Sequence, residues 1–165
     1  MSLKEVLRRF PARDKTGAAC HVWRMPDLPK TQDIDFLGYV VTAARKEWED
    51  QVLALSRILV DGLNAKFIRS LARVHSCGDE LLGSIRQLDR VLVAVGVSDE
   101  VRQSIVSPLL EVQELRSGKV AHIGGDLPAR DLRSHYRDLV ARCDAGMRGL
   151  AEVANSGRLA IPGRQ

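Results

Sequence analysis

Apolar residues recur at intervals of three and four along most of this chain, and no stretch alternates apolar and polar positions in the manner of a strand. That spacing puts them on one face of an α-helix. The longest stripe is Leu37, Val41, Ala44, Trp48, Val52, Leu55 and Leu59, which predicts a helix from about Gln32 to Asp61. Thr31 or Asp33 can cap its start, and Gly62 stands where a left-handed residue would close it. A seam of about 30 residues suits a long antiparallel bundle and could serve in part as a subunit interface.

Other stripes follow. Asn64 is placed to cap a short helix to about His75, with Phe67, Ile68 and Leu71 inward. Ser76-Cys77-Gly78 breaks the chain, and a helix is expected from Asp79 through Leu81, Leu82, Ile85, Leu88, Leu92 and Val95 to Gly96. Ser98-Asp99-Glu100 opens the next, which runs through Val101, Ile105, Leu109, Val112 and Leu115 with a kink or restart at Pro108. The last helix begins near Asp126–Pro128 and carries Leu132, Tyr136, Leu139, Val140, Cys143, Met147, Leu150 and Val153 to a stop at Gly157. At the N-terminus, residues 1–10 can form a short helix ended by Pro11, and Trp23 and Met25 can anchor an irregular stretch. The fold class is therefore all-α, an antiparallel helical bundle of four or five main helices. Residues 1–30 form an N-terminal arm, 31–157 the bundle and 158–165 a frayed tail.

Composition narrows the chemistry. The 165 residues are 45% hydrophobic and 28% charged, enough for one domain with its own core. Aromatics are only 4%, so the core must be aliphatic. The formal net charge is +4, with 19 of the 25 cations arginine, which permits a polyanionic partner without requiring one. Cys20, Cys77 and Cys143 are odd in number and never paired as C-x-x-C, which reads as reduced thiols in a cytoplasmic protein with no metal or other cofactor. Neither a secretory leader nor a membrane-length apolar run is expected.

The sharpest candidate site is Leu109–Gly125, LLEVQELRSGKVAHIGG. In an unbroken helix, Arg116 and His122 would point about 120° apart. Gly118 allows a break between them, so both can reach one cleft. An imidazole that passes a proton near neutral pH, beside a guanidinium fork for a phosphate, is a workable tool set for phosphodiester chemistry. Arg69/His75, also six apart, and Arg130/His135, five apart, are comparable pairs, the first within one amphipathic helix and the second at a helix start. His75 and His135 read as surface or helix-end residues. Lys119, Arg130, Arg133 and Arg137 are candidates for a nucleic-acid-binding wall of the same cleft.

LRSGKVAHIGG at a junction of bundle helices resembles the R-x4-6-H motif of HEPN domains, the higher eukaryote and prokaryote nucleotide-binding family. DGLNAKFIRSLA at Asp61–Ala72 looks similar to uncharacterised bacterial members. The resemblance implies a homodimer whose two motifs line one cleft and a metal-independent endoribonuclease of a prokaryotic toxin or phage-defence system. In that setting RNA is the substrate and an antitoxin or regulatory protein is a partner. His122 would act at the RNA 2′-hydroxyl and Arg116 would hold the scissile phosphate, leaving a 2′,3′-cyclic phosphate. Ser117 stands where the family most often has Asn, and Gly124 stands where some toxins of the family carry a modified tyrosine. The alternative is a catalytically silent helical module that binds a protein or nucleotide through the same cleft.

Overall fold

The computed structural model describes residues 2–26, 34, 37, 38, 44–117 and 129–161, without the side chains of Ala129 and Arg130. These residues form six helices: α1 (Leu3–Arg8), α2 (Arg45–Leu59), α3 (Ala65–Val74), α4 (Ser84–Ala94), α5 (Asp99–Arg116) and α6 (Ala129–Asn155). Two isolated bridges, Arg13 with Ala19 and Trp23 with Leu63, are the only β-type pairings among the described residues. The chain is an all-α bundle.

α5 is its centre, flanked by α2, α4 and α6, while α3 packs on α4 and α1 on α6. Glu111 of α5 meets His135 and Arg142 of α6, and Val101 and Ile105 meet Gly149. Ascending residues on one helix thus face descending residues on the other, so the pair is antiparallel. Pro108 does not restart the helix, since α5 runs through it from Asp99 to Arg116. Proline cannot donate to the Ser104 carbonyl, and there α6 approaches at a glycine: a Cβ on Gly146 would lie 2.6 Å from that oxygen.

Several expected boundaries hold. The Asn64 side chain accepts from the Phe67 N–H at 3.1 Å, and Phe67, Ile68 and Leu71 are buried. Others move. α2 begins at Arg45, because Ala44 before it is extended; the helix does not reach back to residue 32. α4 begins at Ser84 rather than Asp79, whose carboxylate instead accepts from the Leu81 N–H and closes a turn. Leu81, expected in the core stripe, is 95% exposed as a result.

Described residues before α2 and after α6 pack into the body. Leu3, Val6 and Leu7 of α1 are buried, as are Cys20, Val22 and Trp23, whereas Met25 is 40% exposed. Leu159 is fully buried, so the expected fraying does not begin at residue 158.

α3 and α4 end in the same way. Cys77 N–H donates to the Ala72 carbonyl and Ser76 N–H to Arg73; Val97 donates to Leu92 and Gly96 to Val93. The left-handed residue is Gly96 in α4 (φ 74°) but Ser76 in α3 (φ 53°). A side chain there costs about 1–2 kcal/mol, more than the roughly 0.5–1 kcal/mol of extra chain entropy a glycine loses. Ser76→Gly is expected to stabilise the fold by up to about 1 kcal/mol, raising Tm by about 2–4 °C. Thermal unfolding of the variant beside the parent checks this.

Candidate functional site

Arg116 is the last residue of α5, and its side chain leaves the helix towards α2. One terminal N–H group donates to Asp61 Oδ1 at 2.6 Å and lies 3.5 Å from the hydroxyl of Ser56. Ser56 is fully buried in α2, and Asp61 follows that helix in the turn before α3. The ion pair is half open to solvent, with 40% of the arginine side chain and 44% of the aspartate exposed. Asp61 therefore fixes the guanidinium from one side. A guanidinium has five N–H donors in a planar fork, so donors remain for an incoming anion.

His122 and Lys119 lie outside the described residues, as does the side chain of Arg130. Arg133 and Arg137 are exposed, one helical turn apart on the outer face of α6.

His135 is more engaged than its expected helix-end role. Its Nε2 lies 3.1 Å from Glu111 Oε1, and its ring centroid is 6.0 Å from that of Trp48. Arg142 forks onto the same Glu111 carboxylate and also reaches Asp138 at 2.7 Å. The hydrogen bond from Arg142 holds the Glu111 carboxyl below its ordinary value, against the opposing effect of burial. This network ties α5 to α6, and periodicity had no means of finding it because charged residues carry no stripe.

Two of the three cysteines, Cys20 and Cys143, are buried. Burial pushes the Cys20 thiol up to about 11 and the Cys143 thiol up to about 12, so neither is a thiolate near neutral pH. Among the described residues, no three His, Cys, Asp or Glu side chains group as a metal site. Among the same residues, no helix is long and apolar enough to cross a membrane.

Comparison of the chain with protein-family models, with curated proteins and with solved structures gives no match.

Proposed function

We propose that this protein is a HEPN-like, metal-independent endoribonuclease, cytoplasmic and homodimeric, working in a prokaryotic toxin or phage-defence setting. The observation that carries the reading is the contact of Arg116 with Asp61. The resemblance rests on two segments in combination, LRSGKVAHIGG and DGLNAKFIRSLA, and Arg116 of the first meets Asp61 of the second although they are 55 positions apart. A carboxylate that orients an arginine while leaving part of its fork open suits phosphate binding better than simple helix capping. In this reading Arg116 holds the scissile phosphate and stabilises the charge that builds on it. His122 takes the proton of the 2′-hydroxyl, whose oxygen attacks the phosphorus and expels the 5′-oxygen. Arg133 and Arg137, with Lys119 and Arg130, track the flanking phosphates.

The same ion pair also favours a second reading, a catalytically silent binding module, because Asp61 offsets the arginine charge. One experiment separates the two. Purified protein is incubated with a mixed RNA ladder in EDTA beside His122→Ala. The nuclease reading expects cleavage that survives chelation, ends in a cyclic phosphate, and falls by about 10²–10⁴ in rate in the variant. Identical lanes from both proteins remove the enzyme. If RNA is then retained uncut in an anisotropy titration, the binding module stands in its place.

A further inference from the structure

Of the six helices, α3 alone carries no acidic residue; its sequence AKFIRSLARV holds Lys66, Arg69 and Arg73. No carboxylate occurs in the chain between Asp61 and Asp79. The helix buries Phe67, Ile68, Leu71 and Ala72, so the three cations share the opposite, solvent-exposed face. They follow one another at intervals of three and four residues, which makes them surface neighbours that repel each other. Elsewhere the bundle answers such cations from the same helix: Arg45 pairs with Glu49, Arg102 with Asp99, Arg142 with Asp138 and Arg148 with Asp144. On α3, Arg73 reaches Glu80 only at 3.7 Å, with 74% and 92% of the two side chains exposed. Among the described residues, neither Lys66 nor Arg69 has a carboxylate in ion-pair range.

This stripe starts beside the candidate site. Asp61, which fixes Arg116, stands just before the Asn64 cap of α3, and Lys66 follows it by five residues. Arg24, a further exposed cation, joins the same turn through its backbone N–H, which donates to the Gly62 carbonyl at 3.0 Å. From Lys66 to Arg73 the helix rises about 10 Å. A nucleic-acid strand places one phosphate about every 3.4 Å of helix axis, so the stripe spans about three phosphates. The aromatic ring of α3, Phe67, is buried. The face therefore offers charge for a backbone and no platform for stacking bases.

We propose that the exposed face of α3 is a track for the RNA phosphate backbone, in which Lys66, Arg69 and Arg73 hold the strand as it leaves Arg116. The choice of RNA as the polyanion rests on the nuclease reading, but the track concerns binding and not cleavage. It adds a second wall to the one that α6 supplies in that reading.

The test titrates a labelled single-stranded RNA of mixed sequence with the full chain carrying His122→Ala, by anisotropy at several salt concentrations. Lys66→Ala/Arg69→Ala is added in the same background; it changes exposed side chains only, and circular dichroism confirms the fold. Affinity at low salt is expected to fall at least about tenfold, and the slope of log affinity against log salt to shrink by about 1.4, the value for two single-strand phosphate contacts. Arg9→Ala/Lys15→Ala removes the same charge from the N-terminal segment and is expected to change affinity less than about twofold. An α3 variant with the parent's affinity and salt slope overturns the proposal. So does an equal loss in the N-terminal variant, absence of RNA binding by the parent, or displacement of the RNA by polyglutamate of equal charge, which would assign the face to an acidic protein. Cleavage by the unsubstituted protein is scored separately: cutting with an indifferent α3 removes the track and keeps the enzyme, whereas α3-dependent binding without cutting keeps the track and removes the enzyme.

Discussion

Gly62→Ala is expected to destabilise the protein by about 3–5 kcal/mol, comparable to removing a buried tryptophan. The notion that Gly62 closes α2 in a left-handed conformation is not what the structure shows, since its φ is not positive. The residue is small for a different reason. A Cβ there would lie 2.3 Å from Trp23 Nε1 and 2.4 Å from the Ile58 carbonyl oxygen, the acceptor of the indole N–H at 3.2 Å. Neither group can yield, because one is backbone and the other a rigid ring that is only 4% exposed. Two backbone bonds flank the contact, Arg24 N–H to Gly62 at 3.0 Å and Asn64 N–H to Val22 at 3.0 Å. Displacing the indole therefore loosens the pairing that holds residues 22–24 to the α2–α3 turn. A natural domain has about 5–15 kcal/mol in total, so the loss is a large share of it. Gly78→Ala is the control, since a Cβ there would lie 3.7 Å from Ala72, an ordinary contact. Urea unfolding of both variants checks the expectation: a Gly62→Ala midpoint equal to the Gly78→Ala midpoint would show that the indole relaxes freely.

What could be read from the sequence divides along a physical line. Local signals worked where the chain decides locally. Asn64 caps α3, Gly96 ends α4, and Ser98 with its acidic neighbours opens α5. The core face of α6 also follows its 3.6-residue period from Leu132 to Val153. Periodicity failed where it continued by chance. Leu37, Val41 and Ala44 extend the α2 stripe in register, yet Ala44 is extended and Leu37 is buried outside the helix. At Asp79 a good helix opener served a turn instead, because its carboxylate satisfies a nearby N–H without a helix. Pro108 lies inside α5 where α6 comes closest, with Gly146 against the Ser104 carbonyl that the proline cannot serve, a contact no local rule contains.

The candidate site splits the same way. Arg116 at the end of a helix was visible as part of a motif, and the position of that end is as expected. Its partner was not, because a contact across 55 residues leaves no spacing to detect. The Glu111, His135 and Arg142 network was hidden for the same reason.

Arg116→Ala is expected to separate activity from stability. The Arg116–Asp61 pair is nearly half exposed on each side, and pairs of that kind contribute about 0–1 kcal/mol. Truncation should therefore lower Tm by no more than about 2–4 °C. If the guanidinium stabilises charge on a reacting phosphate, its loss should cost about 10²–10³ in cleavage rate, the usual effect of removing one such donor. Asp61→Asn should cost less, since the amide oxygen can still accept from Arg116 while the charge that restrains it is gone. A purely structural pair gives the opposite ordering: both variants shift Tm together, and cleavage follows only as far as the folded fraction falls. Cleavage rates and Tm measured on the same preparations decide between them. A loss of two orders of magnitude in rate with an unmoved Tm assigns Arg116 to the chemistry. Proportional losses in both return it to the scaffold, where it would simply join the end of α5 to the α2–α3 turn.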